Sequence, residues 1–107
     1  MTELITINID LEELKKNRLN ESFLAMFGSW VETILGAMFG GSTVPVQVKG
    51  KKEDIQAFAK TLAGEKKYME SFISNGLNSP LTYRSKWSFD SSIRKFENST
   101  GLKWPVK

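Results

Sequence analysis

The residues of this chain best suited to bind a ligand are basic and aromatic side chains that alternate near its C-terminal end. The run comprises Tyr83, Arg84, Lys86 and Trp87, followed by Arg94, Lys95, Lys103 and Trp104. Cations neutralise phosphates and aromatic rings stack on unpaired bases, so this mixture suits single-stranded nucleic acid. The alternative is an ordinary helix with aromatic side chains inward and charges outward. The candidate nucleic-acid contacts are Arg84, Lys86, Trp87, Arg94 and Lys95.

Catalysis and metal binding have little support in the sequence. The chain has no cysteine and no histidine, which removes thiolate nucleophiles, the usual transition-metal ligands and the commonest general base. An all-carboxylate calcium or magnesium site stays open, although no loop has EF-hand spacing. The adjacent acids Glu53 and Asp54 point about 100° apart on a helix and are interpreted as surface charges near its start. We predict a non-enzymatic protein without a metal or cofactor.

A second candidate site is the line of Gly28, Glu32 and Gly36 within the apolar stretch 20–41. Glycine inside a helix costs about 1 kcal/mol relative to alanine, so two glycines at this spacing indicate that another backbone approaches closely. That backbone belongs either to another segment of this chain or to a second copy. The candidate self-association residues are Phe27, Gly28, Trp30, Glu32 and Gly36.

The candidate self-association residues lie in a stretch, 20–39, that is predicted to form a long central helix. Large apolar residues recur there at steps of three and four, which places them on one side of a helix; they are Phe23, Phe27, Trp30, Val31, Ile34, Leu35 and Met38. Further apolar residues widen this stripe, which predicts burial in a core or against a partner. We favour a second copy as that partner. No membrane span is expected, because the stretch falls short of ~20 apolar residues and contains Glu32.

Two segments of alternating hydrophobicity predict β-strands on either side of this helix. The residues on the inner faces are Ile5, Ile7, Ile9 and Leu11 in the segment 4–11, and Val44, Val46 and Val48 in the segment 44–49. The order strand, helix, strand fits a parallel βαβ unit, and an antiparallel pair is the alternative. Pro45 lacks a backbone donor and places the second strand at an edge. Two strands alone make a poor sheet, so further strands from another copy are an option.

Capping residues predict where the N-terminal elements begin and end. Asp10 caps a short helical turn, and Asn20 caps the central helix. The glycine pair Gly40–Gly41 ends that helix, because glycine adopts the left-handed conformation without penalty. A third helix begins after Gly50.

The C-terminal elements are predicted from the same kinds of signal. The third helix ends or bends at Gly64, and its pattern continues to a stop at Asn75–Gly76. The turn over 78–80 starts a short helix with proline in its first position. Ser88 caps a last helix that ends at Gly101. Beyond it, Leu102 folds back on Phe96 and Trp104 packs onto the domain.

The net charge of +3 at pH 7 is unevenly distributed. Residues 1–48 hold three basic and six acidic residues, a charge of −3, whereas residues 49–107 hold twelve and six, a charge of +6. This asymmetry fits an anionic partner or self-association of unlike faces, and also an ordinary solvated surface. The N-terminal residues lack the basic region of a secretory signal, and a cysteine-free chain fits a reducing interior. We expect a cytoplasmic protein.

The second half of the chain combines a glycine stop, a Ser-Pro turn, the run Tyr-Arg-Ser-Lys-Trp and the ending Thr-Gly-Leu-Lys-Trp-Pro, all within residues 48–107. In this order of features it resembles the small uncharacterised proteins encoded by large contractile-tailed marine phages. The resemblance implies a virion, assembly or host-takeover accessory protein, in the host cytoplasm or the virion. It implies no catalytic residues.

The sequence therefore predicts a single α+β domain over residues 1–107. Two short strands pack against three to four helices, with the apolar helix 20–39 at the centre. The expected function is that of a non-enzymatic interaction or assembly protein that self-associates. The alternative is a small nucleic-acid-binding module that uses the basic and aromatic C-terminal third.

Overall fold

The computed structural model of the chain describes residues 7–40 and 45–105. Their elements are β1 (Ile7–Asp10), α1 (Leu11–Lys16), α2 (Glu21–Gly40), β2 (Val46–Lys49), α3 (Lys52–Asn75) and α4 (Pro80–Thr100). The expected α+β class, with two short strands packed against helices, is confirmed. The predictions for residues 4–6, for Gly41 and for Val44 lie outside the described residues.

The two strands form a parallel pair, which decides between the parallel and antiparallel alternatives that the sequence left open. Ile7 lies opposite Val46 and Ile9 opposite Val48. The two isoleucines are buried in the core, whereas the two valines pack against it and stay half-buried. β2 is therefore the more exposed strand of the pair.

Both predicted N-terminal caps are present. The Asp10 carboxylate accepts hydrogen bonds from the backbone N–H groups of Glu12 and Glu13, at 3.1 and 3.2 Å. The Asn20 side-chain oxygen accepts from the N–H groups of Ser22 and Phe23, at 2.9 and 3.3 Å. These bonds satisfy backbone donors that have no partner within the first helical turn, and α2 then runs to Gly40 as expected.

The helices α3 and α4 form an antiparallel hairpin, and two predictions about them are wrong. α3 continues through Gly64 to Asn75, so the helix does not end at Gly64, and α4 runs through Ser88, which was expected to cap a separate helix. A Cβ atom added at Gly64 would lie 3.5 Å from the Phe89 Cα atom. Gly64 therefore lies at the contact between the two helices, at an ordinary contact distance for an added methyl group, and does not break α3.

Polar side chains hold the start of α4 against the end of α3. The Thr82 hydroxyl donates to the Gly76 carbonyl at 2.6 Å, and the Ser71 and Ser85 hydroxyls lie 3.0 Å apart. The helix boundaries around the turn were predicted correctly: Gly76 follows α3 with a φ of 79°, and the Ser79 hydroxyl caps α4. Because Thr82 and Ser85 are the buried residues of the first turns of α4, no apolar stripe marked them as helical.

A cluster of four aromatic rings joins the helices at the centre of the core. Phe27 of α2, Phe58 of α3 and Phe96 of α4 surround Trp104, with Phe96 and Trp104 ring centroids 5.2 Å apart. α4 ends at Gly101, whose φ is 74°, and Leu102 is fully buried in the same core. The predictions that Gly101 ends the last helix and that Trp104 packs onto the domain are therefore confirmed.

Candidate functional site

The outer face of α4 presents two aromatic rings to solvent. Tyr83 is 61% exposed and Trp87 is 71% exposed. Four residues apart on a helix, they lie about 40° from each other around the axis and one turn apart along it. The interpretation that aromatic side chains point inward is therefore wrong for these two residues, although it holds for the buried Trp104.

The basic candidates divide between this outer face and its two flanks. Arg84 and Arg94 are exposed and fall within about 80° of each other around the axis, with Trp87 between them. Lys86 lies on one flank, where its Nζ is 3.9 Å from the Asp90 carboxylate. Lys95 lies on the opposite flank. Arg84, Trp87 and Arg94 thus line one side of α4 over about 15 Å, with Lys95 at the margin of that side and Lys86 apart from it.

The candidate self-association residues of α2 do not share one surface. Phe27 is 1% exposed in the aromatic cluster, and Trp30 is half-buried against the core. A Cβ atom added at Gly28 would lie 3.5 Å from Pro105 Cβ, so the C-terminal segment of this same chain passes there. Glu32 and Gly36 are exposed, and a Cβ atom at Gly36 would meet no atom of residues 7–40 or 45–105 within 4 Å. Of the two glycines, Gly36 is the one with room for another chain.

The remainder of α2 is incompletely covered. Phe27, Val31, Ile34 and Leu35 are buried, whereas the larger side chains left more than a third exposed are Met26, Met38 and Phe39. By length and composition this helix is able to cross a membrane, and 22% of its most apolar 18-residue window is buried in the fold. One side of α2 thus packs in the core, whereas its two flanks leave apolar surface exposed to solvent.

The outer edge of β2 carries backbone groups without a partner among the described residues. The hydrogen bond from the Ile7 N–H to the Pro45 carbonyl, at 2.9 Å, determines which residues of β2 direct their backbone groups toward β1. These residues are Gln47 and Lys49. Val46 and Val48 direct their N–H and C=O groups away from it, at the open edge of the two-stranded sheet.

A buried ion pair was missed by the sequence analysis. The side chain of Asp54 is 2% exposed, and its carboxylate accepts hydrogen bonds from Lys15 Nζ at 2.8 Å and from the Ser99 hydroxyl at 2.5 Å. The interpretation of Asp54 as a surface charge is therefore wrong. An acid in the first turn of a helix is ordinarily a favourable surface residue, so nothing in the local sequence marked it.

The ion pair shifts the pKa values of both Lys15 and Asp54. The hydrogen bond to Asp54 raises the pKa of Lys15 above its usual value. Burial raises the pKa of Asp54, but the hydrogen bonds from Lys15 and Ser99 and the charge of Lys15 outweigh it, so that the pKa of Asp54 is lowered. Within residues 7–40 and 45–105, no group of three or more acidic, cysteine or histidine side chains could hold a metal ion.

Comparison with known proteins assigns neither a family nor a function to this chain. Neither a protein-family model, nor a curated protein, nor a solved structure matches this chain. The functional interpretation therefore depends on the geometry of two surfaces, the open edge of β2 and the outer face of α4.

Proposed function

We propose that this chain is a non-enzymatic interaction protein that self-associates, with two copies pairing along the outer edge of β2. The observation that carries the proposal is that, within residues 7–40 and 45–105, the sheet has two parallel strands and no strand pairs with the outer edge of β2. Sheets of two strands are marginal, and parallel sheets are ordinarily larger and covered on both faces. Pairing of two copies makes a sheet of four strands.

The backbone of β2 is suited to accept another strand. The N–H and C=O groups of Val46 and Val48 form a short row directed away from β1, which is a template for strand pairing. Proline often protects such an edge. Here the missing donor of Pro45 belongs to the side that faces β1, since the Pro45 carbonyl accepts from Ile7. The outer edge therefore has no proline that blocks it over residues 45–49.

The sequence of β2 allows a symmetric antiparallel pairing. With a two-fold axis beside Gln47, Val46 of one copy lies opposite Val48 of the other, and each such pair exchanges two hydrogen bonds. Lys49 then lies opposite the uncharged Pro45 of the second copy, so like charges do not meet. The half-buried valines extend the apolar inner face across the new pair.

Other features of the molecule support an assembly role. The exposed Met26, Met38 and Phe39 leave α2 with apolar surface that a second copy can reduce. The two groups with shifted pKa values, Lys15 and Asp54, are engaged with each other in the interior and are not presented to a substrate. An accessory or structural protein of a phage, as the resemblance of residues 48–107 implies, is a setting in which self-assembly is useful.

The proposal is tested first by the mass of the protein in solution and then by amide hydrogen exchange. Light scattering after size exclusion should give a dimer or larger species at both low and high salt. In a single copy, the amides of Gln47 and Lys49 are protected while those of Val46 and Val48 exchange fast. In the proposed assembly all four are protected. A monomer contradicts self-association, and a dimer with fast exchange at Val46 and Val48 rejects this edge as the interface.

Proline substitutions separate the interface from the fold. Val48→Pro removes an N–H group directed outward, so the assembly should dissociate while the circular dichroism of the monomer stays native. Asn8→Pro is the matched control, because it removes an outward N–H group from the other edge, on β1, and should leave the mass unchanged. Gly36→Leu tests the alternative interface on α2, where the open space lets the folded chain accept the larger side chain.

A further inference from the structure

We infer that the outer face of α4 binds single-stranded nucleic acid, with Tyr83 and Trp87 stacking on bases and Arg84 and Arg94 contacting phosphates. This binding site is separate from the β2 edge and does not depend on self-association. It gives the chain a ligand of defined chemistry, in which the base rings and the phosphate backbone are each recognised by a different pair of side chains.

The two rings are presented from a fixed support. The opposite side of α4 is held in the fold by the buried Thr82, Ser85, Phe89 and Phe96. At 150–250 Å² for a whole aromatic side chain, the exposed fractions of 61% and 71% leave roughly 200–330 Å² of ring surface in water. Their Cβ atoms are about 5–6 Å apart, so neighbouring bases of one strand can reach both rings.

The composition of this face favours nucleic acid over a protein partner. From Tyr83 to the end of α4, the side chains within about 90° of the centre of the outer face are Tyr83, Arg84, Trp87, Ser88, Asp90, Ser91, Arg94, Lys95 and Asn98. The aromatic residues are confined to two adjacent turns, and the following turns present Ser91, Arg94 and Asn98, whereas a helix that docks in a protein groove continues its apolar anchors to i+7 and beyond. Aromatic faces combined with cations and hydroxyl groups are the components of a stacking platform for unpaired bases.

The charges on this helix are available to phosphates. α4 contains four basic and two acidic residues. Asp90 lies at the margin of the outer face, one turn before Arg94, with its carboxylate 3.9 Å from Lys86 Nζ, and Glu97 accepts a hydrogen bond from the Trp104 N–H at 3.0 Å. Arg84 and Arg94 make no ion pair with any residue in 7–40 or 45–105. About 15 Å separates their positions along the helix axis.

Fluorescence anisotropy with labelled oligothymidylate and oligouridylate of about 15 nucleotides tests the inference. The wild-type protein should bind at about 50 mM salt and lose affinity steeply by about 200 mM. Trp87→Ala should weaken binding roughly 5- to 100-fold, since stacking is lost, and Trp87→Phe should restore most of it. The double variant Arg84→Gln with Arg94→Gln should reduce the slope of log affinity against log salt by about 1.4, because two phosphate contacts are removed.

A charge-matched control and three outcomes decide the result. Lys52→Gln with Lys67→Gln removes the same charge from exposed positions on α3 and should affect binding much less. The inference is overturned by absence of binding at low salt, or by equal effects of the two double variants. It is also overturned if Trp87→Ala lowers the solution mass but leaves oligonucleotide binding unchanged, because the face is then a protein interface. Native circular dichroism of each variant excludes unfolding as the cause.

Discussion

At the scale of single residues, the carboxylate of Asp54 connects three helices. It belongs to α3, and it accepts hydrogen bonds from Lys15 of α1 and Ser99 of α4. A buried carboxylate is stable only when its hydrogen-bonding capacity is satisfied. Lys15 retains 22% exposure of its side chain, so part of its charge stays hydrated when the pair is broken. The pair therefore acts mainly to fix where α1 meets the α3–α4 hairpin.

Replacement of Asp54 by asparagine should destabilise the protein in a pH-dependent manner. At pH 7 we expect a loss of about 1–3 kcal/mol in the free energy of unfolding, since Lys15 loses its charged partner. The folded state lowers the pKa of Asp54 below its unfolded value of about 3.9. The stabilisation is thus present above about pH 4 and is lost as the pH falls through the folded pKa. Urea denaturation should show the wild type and Asp54→Asn converging below about pH 4.

The neighbouring acid provides the control for that measurement. Glu53 is exposed in the same first turn of α3, and Glu53→Gln removes an equal charge without breaking the buried pair. Its effect should stay within about 0.5 kcal/mol, as is usual for surface substitutions. A difference between the wild type and Asp54→Asn that stays constant from pH 7 to pH 3 would contradict the linkage.

At the scale of elements, Gly64 of α3 lies against Phe89 of α4, where there is room for a methyl group but not for a large side chain. Gly64→Ala should stabilise the protein by about 0.5–1 kcal/mol, because alanine favours the helix and its methyl group meets Phe89 at the ordinary contact distance of 3.5 Å. Gly64→Leu should destabilise it by about 1–3 kcal/mol, because the larger side chain forces the helices apart. Thermal and urea unfolding measure both changes.

Comparison with Gly36 of α2 separates the contribution of helix propensity from that of packing in the Gly64 variants. Gly36→Ala should bring the same gain in helix propensity as Gly64→Ala, since no atom in the described part of the chain lies within 4 Å of the added Cβ atom. If Gly64→Ala were as destabilising as Gly64→Leu, the helices would be closer than their ordinary contact allows, and the explanation of Gly64 as a packing residue without strain would fail.

Local signals explain which elements could be predicted from the sequence. The caps at Asp10 and Asn20 act on backbone groups within three residues, so sequence alone identifies them. Gly64 and Ser88 were misinterpreted because their roles depend on the other helix of the hairpin. The same limit applies to Asp54, whose partners are 39 and 45 residues away in the chain. The exposure of Trp87 could not be predicted from the local pattern either. The buried side of α4 begins with two polar residues, Thr82 and Ser85, so no apolar stripe marks which side of the helix faces the core.

At the scale of the whole molecule, the aromatic cluster connects the C-terminal segment to all three long helices. Trp104 lies edge-on to Phe27 and Phe96, contacts Phe58, and donates its indole N–H to Glu65 at 2.7 Å. Since Phe27 is the residue through which α2 enters this cluster, Trp104 also determines how firmly α2 is attached. The packing of the chain after α4 is therefore coupled to the attachment of an element near the start of the chain.

Trp104→Ala should destabilise the fold by about 3–5 kcal/mol, as large aromatic truncations in cores do. Trp104→Phe keeps most of the ring packing and should cost less. Trp87→Ala is the matched control, because that tryptophan is 71% exposed and its removal should change the free energy of unfolding by no more than about 0.5 kcal/mol. Urea denaturation gives these values.

Hydrogen exchange then distinguishes loosening of α2 from uniform destabilisation. If Trp104 holds α2 through Phe27, the amides of α2 should lose more protection in Trp104→Ala than those of the α3–α4 hairpin, whose polar contacts at Ser71 and Thr82 stay intact. An equal loss across all helices would show a single cooperative unit instead. In the first case the buried inner face of α2 becomes accessible at a lower cost than global unfolding, which links the stability of the monomer to the apolar surface available for self-association.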